Sequence, residues 1–375
     1  MRRAQRGFTL IELMVALVVS SLLVGMILAI FSRMSLAYRG QQQIAGVQQV
    51  LAAARAAIEL DAKQAGLGMT QGFTVAPGIS GATLSPIQII DNNNNKGPDQ
   101  VAFFYADPTT QAVVKSSAWP NSVTVDSSTG FAPGELIVLS TADTTQNGPF
   151  AGEATITRYT ACVVQIDPAL GSVAPGPPAT IAIAGAGVAP WGGTSHCAAP
   201  TTSTMVYKLV AHAYRIDTTP ARAALGALQM STTGGLIAGE IWSELAYGFT
   251  DIQTALRIYQ QAPVGNPDGD SDANRDWFSG TNQSNVNTIP ATQILFPEQI
   301  SISLVARTDR DVEGVSTQST PDLTRALTDN NDLGNRAAIA LPSQPPWLAD
   351  PALQGSKIYR YVTFQVDFRN LGVGR

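Results

Sequence analysis

Glu12 is the residue whose chemistry most needs a partner. It lies near the start of FTLIELMVALVVSSLLVGMILAIF, residues 8–31, and is the only charge in that run. A carboxylate at bilayer depth is costly unless a cation or hydrogen-bond donors meet it, so its presence there points to function. The stretch NPDGDSDANRD, residues 266–276, offers a different chemistry. Asp268, Asp270, Asp272, Asn274 and Asp276 alternate along it, a spacing that can surround a hard cation with oxygens, as Ca²⁺ prefers. The EF-hand pattern is met only in part, with Ala273 at its glycine position and Ser279 where the closing Glu would stand. The alternative is a solvated acidic turn. In DNNNNKGPD, residues 91–99, Asp91, Asn93, Asn95 and Asp99 could also ligate a cation, but Asn and Gly are ordinary turn formers and the stretch reads as a turn.

Cys162 and Cys197 are the only cysteines. An even pair in a chain with an export-like N-terminus predicts one disulfide outside the cytoplasm, against two buried thiols as the alternative. Closing a loop of about 35 residues would contribute roughly 3–4 kcal/mol in the chain-entropy picture. His196 stands beside Cys197, but no second close Cys or His completes a zinc spacing, so it reads as a loop histidine. His212 falls in a strand-like run and reads as a packed or exposed strand residue. No nucleophile elbow, phosphate loop or zinc-protease helix occurs. The expectation is no enzyme and no required cofactor, with Ca²⁺ as the one candidate ion.

The element that must carry Glu12 is the N-terminal segment. Residues 1–7, MRRAQRG, are short and basic. The 24 residues that follow, Phe8 to Phe31, would span about 36 Å as a helix, enough to cross a hydrocarbon core of about 30 Å. The arginines orient their end toward the cytoplasm. A secretory signal peptide fits poorly, because the apolar run is too long and no small-x-small cleavage site follows it. A plain anchor fits the length and leaves Glu12 unexplained.

Gly7, Phe8, Thr9, Leu10, Ile11 and Glu12, behind a basic leader, resemble the type IV prepilin signature. The resemblance implies a peptidase cut between Gly7 and Phe8, methylation of the new amine, and a helix that anchors in the membrane and later forms a filament core. It also implies that Glu12 of one subunit pairs with the Phe8 amine of its neighbour. Two charges that are costly alone become tolerable together in a low-dielectric core, and their pairing sets the axial register.

Beyond Ser32 the pattern turns amphipathic. Ile44, Val47, Leu51, Ala54 and Ile58 form one helical stripe, and Gly66 and Gly68 end it. The stripe predicts packing on the chain's own head, with a coiled-coil seam as the alternative. The rest reads as β-rich: residues 100–106, 122–126 and 134–140, the alternation at Ile300, Ile302 and Leu304, and that at Ile358, Val362, Phe364, Val366 and Phe368. Residues 246–259 are ambiguous between strand and helix. Residues 141–152, 168–202, 262–292 and 311–349 have the composition of exposed loops. No domain boundary is evident within 70–375. The expected fold is α+β, a pilin-like lollipop: leader 1–7, membrane or filament-core helix 8–31, amphipathic continuation 32–66, and an antiparallel β-rich head 67–375.

The order of GFAPGELIVLS (130–140), TMVYKLVAHAYRI (204–216), IWSELAYGFTDIQTALRIY (241–259), ISISLVART (300–308) and YRYVTFQVDFRN (359–370) is similar to the PilW family of minor pilins. That family is related to the J-type minor pseudopilins of type II secretion. The resemblance implies a minor pilin that primes a type IV pilus and sits at or near its tip. Its implied partners are other minor pilins, the major pilin, prepilin peptidase, the inner-membrane assembly platform and a large tip adhesin. Its implied location is the inner membrane with a periplasmic head, then the pilus at the cell surface. A J-type pseudopilin is the first alternative and a surface- or ligand-binding tip subunit the second. Net charge is −5, and falls to −8 without Arg2, Arg3 and Arg6, with 28 acidic against 20 basic side chains. Such a chain has no general attraction for nucleic acid.

Overall fold

The computed structural model describes residues 9–69, 73–74, 83–90, 98–143, 158–169, 173, 177–184, 197–217, 226–235, 240–260, 275–278, 295–308 and 357–368. One helix, α1 (Leu10–Gln64), has 55 residues and is about 80 Å long. It contains no proline, and Ala52, Ala53, Ala54, Ala56 and Ala57 favour the helical backbone in its second half. Gly66 and Gly68 follow it with φ of 79° and 73°. The left-handed backbone there suits glycine, and a Cβ on Gly68 would come within 2.8 Å of the Ala106 Cβ.

The two halves of α1 differ by what surrounds them. An 18-residue window with mean hydropathy 2.8 is wholly exposed, long and apolar enough to cross a membrane. Farther along, Val47, Leu51, Ala54, Ile58 and Ala62 are buried at helical spacing. That stripe packs on the head, as its period predicts.

The head is built from strands β1 (Phe73–Thr74), β2 (Thr83–Leu84), β3 (Ile87–Ile90), β4 (Gln100–Ala118), β5 (Ser122–Val125), β6 (Leu136–Asp143), β7 (Arg158–Gln165) and β8 (Ala179–Ala182). They are followed by β9 (Met205–Asp217), β10 (Ala227–Ser231), β11 (Ser243–Tyr247), β12 (Phe249–Gln260), β13 (Arg275–Phe278), β14 (Leu295–Arg307) and β15 (Tyr359–Asp367). Eleven form one sheet ordered β2-β1-β7-β6-β9-β4-β5-β8, with β3 on β4, and with β10 on β9 carrying β11. The other four form the antiparallel sheet β13-β12-β14-β15. Every pairing among the described strands is antiparallel except β1 with β7. The chain is therefore α+β, a long N-terminal helix packed on an antiparallel β-rich head.

Helix α1 lies on the four-stranded sheet. Its stripe shares one apolar cluster with Ile252, Leu256, Ile258, Ile300, Ile302, Leu304, Phe364 and Val366. The period of β12 resolves the ambiguity of 246–259. Ile252, Leu256 and Ile258 alternate into that cluster, and Gly248, at φ 90°, separates β11 from β12. Asp99 joins the two sheets, its Oδ2 accepting from the Thr254 backbone N–H at 2.8 Å and the Thr254 hydroxyl at 3.0 Å.

Two stretches with loop composition contain strands. Within 168–202, Ala179, Thr180 and Ile181 run buried, exposed, buried as β8 on β5, a short alternation hidden among prolines and glycines. Within 262–292, β13 pairs with β12. In addition, β6 runs past residue 140 to Asp143.

Asp251 on β12 is 1% exposed and accepts from the Gln253 amide at 3.0 Å. Burial pushes its carboxyl from 3.8 up to about 6. The folded state thus holds this proton longer than the unfolded chain, and stability falls as pH rises from about 4 to about 6. Asp251→Asn is expected to remove that fall and to stabilise the protein at neutral pH by up to about 3 kcal/mol. Urea unfolding of the detergent-solubilised chain at pH 4.5 and 7.5 measures it.

Candidate functional site

The candidate site begins where α1 begins. Thr9 is the N-cap, in extended backbone. Its hydroxyl accepts from the Glu12 backbone N–H at 3.3 Å, and the Glu12 Oε2 accepts from the Thr9 N–H and hydroxyl, each at 3.0 Å. This reciprocal capping box satisfies donors that a helix start leaves unpaired. Glu12 therefore has donors within its own chain, on a fully exposed stretch of helix. The Thr-x-x-Glu spacing of Thr9 to Glu12 is the signal by which Thr9 could have been read from the sequence as a functional partner of Glu12.

A second constellation fastens the far end of α1 to the head. Asp61 sits on the buried stripe, three residues after Ile58 and seven after Ala54. Its Oδ1 accepts from the Tyr105 hydroxyl at 2.8 Å, and its Oδ2 from His212 Nδ1 at 2.9 Å and the Tyr214 hydroxyl at 2.5 Å. Tyr105 is on β4, and His212 and Tyr214 are on β9, so one carboxylate ties the helix to two central strands. Burial raises the Asp61 carboxyl, but the bonds from His212, Tyr214 and Tyr105 outweigh it and hold the group below the ordinary range. Burial, together with the Asp61 charge, pushes both tyrosines up. His212 is thus more than a packed strand residue. A carboxylate on an otherwise apolar helical stripe was the available signal.

Cys162 on β7 and Cys197 form a disulfide with Cα atoms 5.7 Å apart. It borders an apolar cluster with Val125, Ile137, Leu139, Val164 and Ile181, remote from α1 in sequence and in packing. Cys162→Ser with Cys197→Ser is expected to cost about 3 kcal/mol in urea unfolding while leaving α1 docked.

Gly7 and Phe8 lie outside the described residues, as do Asp268, Asp270, Asp272, Asn274 and His196. Asp276 is on β13, opposite Ile258. Asp91, Asn93 and Asn95 also lie outside the described residues, while Asp99 spends its Oδ2 on Thr254. Among the described residues, no group of three or more His, Cys, Asp or Glu is placed to hold a metal ion.

The family description "Prokaryotic N-terminal methylation motif" matches residues 2–28. Neither the curated proteins nor the solved structures contain a match to the chain. The motif and the exposed apolar half of α1 together support a type IV pilin-like or pseudopilin-like protein, a structural subunit with a membrane-anchoring helix. The motif implies assembly partners in a pilus or a secretion apparatus.

Proposed function

We propose that this chain is a minor pilin of the PilW type. It is inserted in the inner membrane with its head in the periplasm, trimmed between Gly7 and Phe8, and built into the priming complex at or near the tip of a type IV pilus. The observation that carries the reading is a long helix bearing the methylation motif, bare over its first half and fastened over its second half to a broad two-sheet head. A bare apolar helix needs lipid or other helices around it, and a filament of parallel helices supplies the second once the protein leaves the membrane. The wide head is easier to place at a tip, where fewer neighbours crowd it, than in a repeating shaft. Partners are other minor pilins, the major pilin, the prepilin peptidase, the inner-membrane platform and a tip adhesin. The work is assembly and needs no cofactor.

A clean deletion in the native host tests this. The reading expects surface pili to be lost with exported enzymes unchanged. Lost export with intact pili would assign the chain to the J-type pseudopilins instead. Ca²⁺ at Asp268, Asp270, Asp272, Asn274 and Asp276 is a separate proposal, resting on the alternation of these residues in the sequence. Calorimetry of the purified chain is expected to show a binding heat that Asp270→Ala removes. No heat with the unaltered chain would sink it.

A further inference from the structure

Helix α1 and the corner between β11 and β12 enclose a groove of about 360 Å³. Its floor is Gln43, Gly46, Val47 and Val50, one face of the helix at i, i+3, i+4 and i+7, and its wall includes Tyr247 and Gly248. Three features of it are unexplained by the chain's own fold. Among the described residues, a Cβ placed on Gly46 would meet no atom within 4 Å beyond its own stretch of helix. Glycine weakens a helix interior relative to alanine, and no contact among the described residues requires it at this position. Among the described residues, no donor meets the buried Gln43 Oε1, a cost that a donor from outside would remove. The wall continues into the edge strand β11, where Leu245 and Tyr247 are 44% and 56% exposed, with Ile241, two residues before the strand, 82% exposed.

We propose that this groove receives the N-terminal α-helix of a different pilin-type subunit, lying alongside α1. The inference rests on the filament reading above and names one contact within it. A glycine on a helix face lets a second helix approach closely, and the i, i+3, i+4, i+7 floor has the form of a helix-packing seam. The bare surface of α1 runs from Leu10 to Tyr38 and the groove opens within two turns of its end, so one neighbouring helix can follow both. Register follows from Glu12. If Glu12 meets the neighbour's first residue, position 8 in this numbering, the neighbour is displaced by four residues. Its positions equivalent to 39 and 42 then stand level with Gln43 and Gly46. A donor side chain at the first fills the Gln43 vacancy, and a long side chain at the second enters the space over Gly46.

The test uses the full chain in its native host, with p-benzoylphenylalanine replacing Tyr247 on the groove wall. Ultraviolet light is expected to join it to another motif-bearing chain, with the joined peptide in the second half of that chain's N-terminal helix. Joining only to lipid, to a partner's head or to a second copy of this chain would overturn the proposal. Gly46→Phe is expected to be processed and to melt within a few degrees of the parent, yet to lower pilus number at least tenfold. Normal pili from Gly46→Phe, beside lost pili from Glu12→Ala, would reject the groove and keep the filament reading. Normal pili from both would reject the filament reading and the groove together.

Discussion

Glu12→Ala is expected to leave membrane insertion and cleavage after Gly7 intact while lowering assembled pili by about a hundredfold or more. The size follows from leaving a neighbour's amine unpaired in a low-dielectric core, the costly half of a broken ion pair. The capping box makes the expectation sharper. In the free subunit the carboxylate is held by Thr9, and two donors from Thr9 share its Oε2. Thr9→Val, which removes the hydroxyl and keeps the shape, disturbs only that local cap and is expected to change pilus number by less than about threefold. Electron microscopy of sheared pili, with immunoblots for processed protein in the membrane, measures both variants. Equal losses in the two would mean that Glu12 acts through its own helix start and not through a neighbour.

Asp61→Leu is expected to carry the largest stability cost in the head, about 3–5 kcal/mol. It strips three donors of their acceptor at once, and the Tyr214 hydroxyl and its ring lie deep between the helix and β9. For a head of this size that is a fall in Tm of roughly 10 °C. Tyr105→Phe and Tyr214→Phe each remove one donor and leave the carboxylate two others, so each is expected to cost about 1–2 kcal/mol. The pair is not additive with Asp61→Leu, because all three act through one carboxylate. The Asp61 bonds also set an acid limit. The carboxyl is held below its unfolded value, so its contribution is complete above about pH 4 and is lost as pH falls through the lower folded value. Scanning calorimetry at pH 7 and pH 3 is expected to show the gap between parent and Asp61→Leu narrowing at the lower pH.

Periodic features were legible in the sequence and contact-dependent ones were not. The stripe at Val47, Leu51, Ala54 and Ile58 was readable because a helix repeats every 3.6 residues, and Ile300, Ile302 and Leu304 because a strand repeats every two. The disulfide was readable because two cysteines behind an export-like N-terminus allow one pairing outside the cytoplasm. The Asp61 cluster was not, because Tyr105, His212 and Tyr214 lie 44, 151 and 153 residues away, and only the sheet order brings β4 and β9 together beneath the helix. Strand β8 was hidden by its length, since four residues among prolines and glycines give too little period to detect. Residues 246–259 stayed ambiguous because an apolar run can satisfy either period until its neighbours are known. Their pairing with β10 and β14 supplies what local sequence lacked.

The central claim is that this chain is processed and assembled as a pilin-type subunit through its N-terminal helix. The most direct measurement is the intact mass and N-terminal residue of the protein purified from membranes of its native host. The account predicts a chain that begins at Phe8, with residues 1–7 removed and one methyl group on its amine. A chain that still carries residues 1–7 in cells with active prepilin peptidase, or one cleaved beyond the apolar helix, would contradict it.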